Sequence, residues 1–231
     1  MITFENVMTA GWEPAIRGMR NPKNSWAKSD SCMGAMAIEE GWSWIGPNDH
    51  KLAMNLREAG TDHRKYLRQI MVWVDITAPL YWWKEFDTYK VGTTSNSCST
   101  MHTIHQKEFT LEDFSCEKLE PFAHGVFTTV VDTLNYYRKS YNRAKNGDPE
   151  SLYNRDDAKA CWDNMIQLLP SSYNQRRTIS MSYENLANMY KSRKNHKLTE
   201  WRDLCKWIET ELPYPELITG KQETEEANAT I

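Results

Sequence analysis

The sequence lacks several features that would reveal its biochemical class at once. Its 231 residues include five cysteines, an odd number, widely spaced and without a CxxC pair. This excludes a disulfide framework or a zinc knuckle and indicates reduced thiols in a cytoplasmic protein. No stretch approaches the ~20 apolar residues of a membrane span. The N-terminal residues lack the basic-then-apolar order of a secretion signal, so none is expected.

Surplus positive charge and known catalytic motifs are also missing. Lys and Arg number 28 against 31 Asp and Glu, a formal net charge of -3, so no nucleic-acid partner is expected. The sequence contains no Gly-rich phosphate loop, no GxSxG and no HExxH. His102 and His105 have no third ligand at matching spacing, so we favour two ordinary polar histidines and predict no metal site.

Aromatic side chains are what the sequence has in excess, with 10 Trp and 11 Tyr in an otherwise hydrophilic chain. Such residues build cores, line pockets for flat ligands and anchor subunit interfaces. We assign Trp73 and Trp162 to core packing. Trp82, Trp83 and Trp201 lie on predicted helices, where we expect subunit or domain contacts.

The pattern of apolar and turn residues predicts a helix-rich α/β (mixed α+β) domain over residues 48–218. Residues 1–47 carry five scattered glycines and predict a loop-rich segment packed on that domain. Residues 219–231 are polar and acidic and predict a disordered tail. Helices are predicted over 48–59, 80–89, 122–144, 156–168, 183–193 and 198–211, strands over 70–77 and 177–181, and a polar loop at TTSNSCST, residues 93–100.

Three groups of polar residues are candidates for ligand binding. The loop 93–100 concentrates hydroxyls that suit a phosphate or a flavin edge, although such residues also form ordinary surface turns. Arg176 and Arg177 offer bidentate forks for a phosphate, and the alternative is that they face solvent. Arg193 lies near a helix end, where the helix dipole already favours a cation. These residues alone indicate an anionic ligand.

The order of three blocks resembles the flavin-dependent (alternative) thymidylate synthases over about residues 60–218. The block His63–Pro79 is similar to the family's histidine, Glu-His pair and strand ending near Ala-Pro, but Arg68 and Gln69 replace the Glu-His pair. The last block follows the family's order almost without gaps and consists of Leu169-Pro170, Arg176, the strand TISM, Leu186, Asn188, Arg193 and Glu200-Trp201.

The middle block resembles the family signature RHRxxSxNxxSxRY in part. Thr94-x-Asn96-x-x-Ser99 keeps the SxNxxS spacing, with Thr in place of the first Ser. The basic triplet is missing, and Lys90 supplies one point charge but no bidentate fork. Tyr89 stands at or beside the lost triplet, so we expect aromatic stacking on a base to replace some of the lost charge.

The resemblance implies two sets of site residues and assigns no catalytic residue. Its nucleotide-binding set is Arg176, Arg193, Ser99 and Lys90. Its cofactor-binding set is His63, Thr94, Asn96 and Asn188.

The resemblance also implies a fold with a small sheet flanked by long helices, assembled as a homotetramer. Its ligands are FAD and dUMP, with NADPH and methylenetetrahydrofolate if the protein is catalytic. No cysteine nucleophile is needed for that chemistry, which works by positioning and polarising the pyrimidine. Our leading hypothesis is a divergent member that binds a dUMP-like nucleotide and modifies it with a one-carbon unit. A non-catalytic nucleotide-binding protein and a purely structural oligomer are the alternatives.

Overall fold

The computed structural model describes residues 2–32, 45–149 and 151–220. Its strands are β1 (Thr3–Ala10), β2 (Met71–Pro79), β3 (Thr94–Ser97) and β4 (Asn174–Ser182). Its helices are α1 (Trp12–Arg20), α2 (Pro47–Glu58), α3 (Leu80–Phe86), α4 (Thr100–Thr103), α5 (Pro121–Lys145), α6 (Ala158–Leu168), α7 (Tyr183–Arg193), α8 (Thr199–Glu211) and α9 (Glu216–Thr219). Short 3-10 helices lie at Asn21–Lys23, Trp26–Lys28, Arg64–Arg68 and Leu111–Asp113.

The four strands form one antiparallel sheet in the order β1-β2-β4-β3. The central strand β2 buries every second residue, namely Val72, Val74, Ile76 and Ala78. This period of two, with β-branched side chains, is typical of a strand that faces a core. The edge strand β1 is mostly exposed, and every residue of β3 is exposed. The sheet is therefore buried at its centre and exposed at its edges.

The chain divides into two compact units, each with its own core. Among the described residues, the first unit comprises 2–3, 76–88, 96–149 and 151–177. Within it, α5 packs along α6, and both contribute to a buried cluster. The members of that cluster are Ile104, Phe109, Phe114, Val131, Leu134 and Met165. Trp82, Trp83 and Phe86 of α3 form a second group of buried rings with centroids 4.8–5.3 Å apart.

Among the described residues, the second unit comprises 4–32, 45–75, 89–95 and 178–220. Its core includes Tyr183, Leu186 and Met189 of α7, which are 0% exposed. Trp12 of α1 packs edge-on against Tyr183, with ring centroids 5.2 Å apart. Gly11 precedes α1 with φ 91°, and a Cβ there would lie 1.9 Å from the carbonyl oxygen of Gln69. Glycine is required at that position by both backbone conformation and space.

Most elements predicted from the sequence are present, with small shifts at their ends. The helix predicted over 183–193 has those bounds, and Ser182 caps it through a reciprocal pair of hydrogen bonds with Asn185. The helix predicted over 48–59 begins at Pro47 with Gly46 as its cap, instead of Asn48. The strand predicted over 177–181 is longer and begins at Asn174. The predicted helix-rich fold with a small sheet is confirmed.

The prediction of irregular structure before Pro47 is wrong for residues 3–20. These residues form β1, an edge strand beside β2, and α1. β1 is mostly exposed, so it lacks the alternation that marks a half-buried strand. In α1, Pro14 and Gly18 obscured the helical spacing of the buried Trp12, Ile16 and Met19.

The prediction of a polar loop at 93–100 is also wrong, because Thr94–Ser97 is a strand and Thr100 begins α4. This strand forms by pairing with β4, and no periodic apolar pattern in its own sequence predicts it.

The predicted disordered tail begins at residue 219, and its residues after Gly220 lie outside the described part of the chain. Among the helices that the structure describes, none is long and apolar enough to cross a membrane.

The tryptophans divide differently from the prediction. Trp82, Trp83 and Trp201, expected at subunit or domain contacts, are 0% exposed, so they offer no surface to a second subunit and that alternative is wrong. Trp73, assigned to the core, is only half-buried on β2. Trp162 packs, half-buried, against the cluster of the first unit, as predicted.

Candidate functional site

Arg193, a predicted nucleotide ligand, lies in the second unit at the end of α7, where its guanidinium packs against two aromatic rings. Its guanidinium carbon is 4.5 Å from the ring centroid of Trp201 and 5.6 Å from that of Tyr89. Its Nε donates a hydrogen bond to Tyr89 Oη at 2.9 Å, and its Nη1 lies 2.9 Å from His196 Nε2. Cation–π contacts and hydrogen bonds thus fix the plane of this guanidinium. We call this group of four residues the arginine seat.

The segment that carries Tyr89 is fastened to the start of α7. Asn185 Nδ2 donates to the carbonyl oxygen of Val91 at 2.7 Å, while Asn185 Oδ1 accepts from the hydroxyl and amide of Ser182. Gly92, with φ 78°, makes room for this side chain, because a Cβ would stand 3.0 Å from Asn185 Oδ1. Sequence reasoning missed Asn185, although its position three residues after a serine cap is a local signal.

Lys90 and Thr94, assigned to nucleotide and cofactor, lie in that same segment. Both are exposed. Lys90 directly follows Tyr89 in the chain, and Tyr89 contacts the guanidinium of Arg193. The predicted cation Lys90 is therefore the chain neighbour of a residue that holds Arg193. Thr93 next to Thr94 donates its hydroxyl to the carbonyl oxygen of Tyr89. The segment is therefore held by side-chain hydrogen bonds to its carbonyl oxygens, while the side chains of Lys90 and Thr94 are exposed.

His63 and Asn188, assigned to the cofactor, lie near a cation-rich region of the second unit. Asn188 is exposed on α7, and its Oδ1 accepts from Arg64 Nη2 at 2.8 Å. His63 is exposed and immediately precedes Arg64 at the start of a 3-10 helix. Arg64 and Arg68 both pair with Glu184, a carboxylate that is only 6% exposed. Arg68, which replaces part of the family's Glu-His pair, thus makes a structural ion pair.

A cleft of about 600 Å³ opens beside these residues. We call it the basic cleft. Its lining includes four cations, one carboxylate and the Asn188 carboxamide: Arg57, Arg64, Lys191, Lys194, Glu58 and Asn188. Arg57 is anchored through Nε to the carbonyl oxygen of Leu217 at 2.9 Å and through Nη2 to that of Ile218 at 2.7 Å. Sequence reasoning missed the cleft because its cations come from three separate elements.

Arg176, Ser99 and Asn96 lie in the first unit. Arg176 is half-buried on β4, where its carbonyl oxygen accepts from the amide of Cys98 at 2.9 Å. Ser99 follows as the cap of α4. The structure therefore brings the backbone of Arg176 to the predicted TxNxxS segment. Asn96 is exposed on β3.

Arg177, the other candidate for a phosphate fork, has a structural role. Its guanidinium carbon is 4.2 Å from the Trp83 ring centroid, and its Nη1 donates to Asp87 Oδ1 at 2.7 Å. Its Nε donates to Gln175 Oε1 at 2.9 Å. Since neighbouring residues of a strand project to opposite faces, Arg176 points away from this cluster.

Two cysteines of the described ranges are unsuited to thiol chemistry. Burial raises the pKa of the Cys116 and Cys161 thiols, which makes both poor nucleophiles. No group of three or more His, Cys, Asp and Glu residues in the described part of the chain is placed to hold a metal ion. His105 packs against Tyr141, and burial followed by the charge of Lys145 lowers its pKa.

Three solved structures are similar to this chain in fold. Two structures of the flavin-dependent thymidylate synthase ThyX from Helicobacter pylori with FAD and dUMP match with a TM-score of 0.63. One is 16% identical over 94% of this chain and 99% of that chain, and the other 17% over 94% and 98%. A UMP/dUMP methylase, PolB from Streptomyces cacaoi bound with 5-Br dUMP, matches with a TM-score of 0.55, at 11% identity over 91% and 89%.

No family model matches the sequence, and no curated protein sequence matches it either. At these identities the likeness establishes the fold. The chain has the fold of the flavin-dependent thymidylate synthases, as the sequence resemblance predicted.

Proposed function

We propose that this protein binds a dUMP-like pyrimidine deoxynucleotide together with FAD and modifies the nucleotide with a one-carbon unit. The supporting observation is the shared fold, because each of the three structural neighbours was solved with a uridine-type nucleotide. One fold can host several functions, so residue-level support comes from the arginine seat.

The arginine seat suits the nucleotide for a physical reason. A guanidinium held in one plane by Trp201, Tyr89 and His196 loses little freedom when it pairs with a phosphate or a pyrimidine carbonyl. We assign Arg193 to this contact and Lys90 to a second, longer-range charge. Arg176 and Ser99, which lie in the first unit, are kept as proposed nucleotide ligands on the sequence resemblance alone.

The residues assigned to FAD have donor and acceptor groups that fit a flavin. His63, Thr94, Asn96 and Asn188 are all exposed and offer an imidazole, a hydroxyl and two carboxamides, which match the hydrogen-bonding edge of an isoalloxazine. When bound, FAD would supply the redox chemistry of the proposed reaction, with NADPH as the reductant and methylenetetrahydrofolate as the carbon donor. The chain's own residues bind, orient and polarise the pyrimidine.

Titration calorimetry with dUMP tests the nucleotide assignment. Arg193→Ala is expected to weaken dUMP binding by roughly 10- to 150-fold, the equivalent of one lost hydrogen bond to a charged group. Arg17→Ala removes an arginine of α1 with a side chain 64% exposed and serves as the control, with dUMP affinity unchanged. Equal dUMP affinity in the two variants would show that Arg193 does not contact the nucleotide.

Absorbance of the purified protein and titration with FAD test the cofactor assignment. We expect a flavin spectrum after incubation with FAD and removal of excess ligand. A protein that retains no FAD and gives no heat with dUMP would refute the proposed function as a whole.

A non-catalytic nucleotide-binding protein on the same fold is the second candidate. It is favoured by the ion pair of Arg68 with Glu184, since Arg68 stands where the family has a Glu-His pair. NADPH oxidation dependent on dUMP and methylenetetrahydrofolate distinguishes the candidates. Turnover above background supports the enzyme, and dUMP binding without turnover supports the second candidate.

We also propose a homotetramer. Leu119, Phe122 and Val126 are 39%, 86% and 53% exposed before and along the first turns of α5. Large apolar side chains grouped on one exposed helix face are typical of subunit interfaces.

A further inference from the structure

A second cavity, of about 500 Å³, is lined by α1 and by residues 26–31 of the second unit. We call it the α1 cavity. Its lining includes Glu13, Ile16, Arg17, Arg20, Trp26 and Ser29. No residue of its lining belongs to the sets assigned to the nucleotide or the flavin, so the proposed function leaves this cavity unused.

Trp26 presents an oriented aromatic ring to the α1 cavity. Its indole N–H donates to Asn21 Oδ1 at 2.8 Å, which satisfies its single polar atom and orients the ring. The side chain is nevertheless 48% exposed. Ile16, which is only 3% exposed, adds an apolar surface to the same lining. A ring placed against these two side chains would gain both stacking and burial.

Arg20 brings a buried hydrogen-bond donor to the same cavity. It is 5% exposed, its Nε donates to Asp49 Oδ1 at 2.5 Å, and its Nη1 donates to the carbonyl oxygen of Ser25 at 3.3 Å. A guanidinium carries five N–H donors, and these contacts use two of them. Within the described part of the chain, the other donors have no protein partner. An acceptor oxygen that reaches them through the cavity would therefore bind favourably.

The charges around the α1 cavity cancel. Arg20 pairs with Asp49, and Arg17 Nη1 lies 3.6 Å from Glu13 Oε1. Two cations are thus balanced by two carboxylates, and no excess charge attracts an anion or a cation. The acceptor that suits Arg20 is therefore an uncharged one, such as a carbonyl oxygen.

The serines of the lining complement Arg20. Ser29 and Ser31 each donate their hydroxyl hydrogen to Asp49 Oδ2 at 2.6 Å, so towards a ligand their oxygen atoms only accept. The amide of Gly46 already donates to Ser31 Oγ at 3.0 Å. Arg20 as a donor and Ser29 as an acceptor match the two halves of a peptide group, a carbonyl oxygen and an N–H.

We propose that the α1 cavity is a docking site for an aromatic residue in an uncharged segment of a polypeptide partner. The aromatic ring packs against Trp26, and a flanking backbone carbonyl oxygen accepts from Arg20. Tryptophan and arginine are the residue types that most often carry the binding energy of protein interfaces. The inference goes beyond the proposed function, because the ligand is a polypeptide.

The partner is a different protein with a loop or an extended segment. A second copy of this chain offers Phe122, which is 86% exposed, but Phe122 lies on α5. Its carbonyl oxygen belongs to the hydrogen-bond ladder of that helix, so it does not suit the donors of Arg20.

N-acetylphenylalaninamide is the probe, because it has the ring and two peptide groups and carries no charge. N-acetylalaninamide lacks the ring, and N-acetylphenylalanine adds a carboxylate. Dissociation constants are measured by ligand-detected NMR on the full chain without nucleotide or flavin. Trp26→Ala removes the stacking surface, and Tyr136→Ala is the matched control, because Tyr136 is 46% exposed on α5.

Arg20→Lys tests the second contact, since it keeps a cation beside Asp49 but removes the guanidinium fork. Unfolding midpoints of all variants check that the fold is retained. If Arg20→Lys does not fold, the comparison of Trp26→Ala with Tyr136→Ala still decides the proposal.

We expect the native chain to prefer the probe to both of its analogues by at least about 3-fold. Trp26→Ala should weaken binding of the probe by roughly 3- to 10-fold, the effect of one lost aromatic pair. Arg20→Lys should weaken it by about 10-fold, the effect of one lost hydrogen bond to a charged group. Tyr136→Ala should stay within about 2-fold of the native chain.

The proposal is overturned if the native chain does not bind the probe or if Trp26→Ala and Tyr136→Ala lose the same affinity. Displacement of the probe by dUMP, FAD or NADPH would also overturn it, because the cavity would then belong to the proposed reaction. A fall in the mass measured by light scattering on adding the probe would identify a second copy as the occupant and would refute a foreign partner. Retained dUMP binding beside any of these results leaves the proposed function standing.

Discussion

Substitution of Asp49 by asparagine should destabilise the second unit more than any surface change. Asp49 is 0% exposed, and its Oδ1 accepts from Arg20 Nε at 2.5 Å. Its Oδ2 accepts from the hydroxyls of Ser29 and Ser31, both at 2.6 Å. The backbone amides of Asp30 and Ser31 lie 3.2 Å from the same oxygen. This carboxylate therefore ties residues 20–31 to α2.

The loss of stability expected for Asp49→Asn follows from the state in which the substitution leaves Arg20. Arg20 is 5% exposed, so it would become a buried cation without a counter-charge. Breaking a buried pair on one side costs about 3–5 kcal/mol. For a chain of this size that corresponds to a melting temperature lower by roughly 6–20 °C. Thermal unfolding at pH 7, followed by circular dichroism, measures it.

Asp203→Asn provides the matched control, because Asp203 is exposed on α8 and undergoes the same chemical change. We expect a change within about 0.5 kcal/mol there. If Asp49→Asn unfolds at the same temperature as Asp203→Asn, the reasoning about this buried carboxylate is wrong.

The pH dependence of the native chain has a definite sign. Burial opposes ionisation of Asp49, but hydrogen bonds from Ser29, Ser31 and Arg20 outweigh it and lower the pKa below its ordinary 3.8. The unfolded chain therefore takes up this proton first as pH falls. The stabilisation is complete above pH 3.8 and is lost as pH falls through the lower folded value. The free energy of unfolding of Asp49→Asn should therefore depend less on pH below 3.8 than that of the native chain.

Three further predictions concern the cap, the arginine seat and the exposed helix face. Ser182→Ala should cost about 1 kcal/mol in chemical unfolding, because it removes the cap of α7, and no change would contradict the capping geometry. Tyr89→Phe should weaken dUMP binding by roughly 3- to 10-fold in calorimetry, since Arg193 loses one orienting hydrogen bond but keeps the ring. Phe122→Asp should reduce the mass measured by light scattering, whereas Leu152→Asp, equally exposed in a loop, should not.

Local sequence signals predicted the elements that carry their own periodicity. The apolar spacing of α5, the β-branched and aromatic run of β2 and the serine before α7 are all properties of short stretches. Such signals depend on residues within one or two turns of each other, which a single sequence contains. The order of these stretches also sufficed to predict the fold that the structural neighbours share.

The edge strands and the first helix escaped prediction because their stability comes from elsewhere in the chain. β1 and β3 are mostly exposed and exist through pairing with β2 and β4. An edge strand needs only backbone hydrogen bonds, which any sequence can make, so no side-chain pattern marks it. In α1, the buried face compensates for the poor helix propensity of Pro14 and Gly18.

The candidate site shows the same division. The sequence by itself determined that Arg193 and Asn188 share one helix, that Ser182 begins it, and that the family's basic triplet is missing. Only the tertiary structure decided that Tyr89, 104 residues before Arg193, accepts its hydrogen bond, and that cations from three elements line one cleft. The physical reason is that electrostatic and stacking contacts depend on distance in space, and chain folding sets that distance independently of separation in sequence.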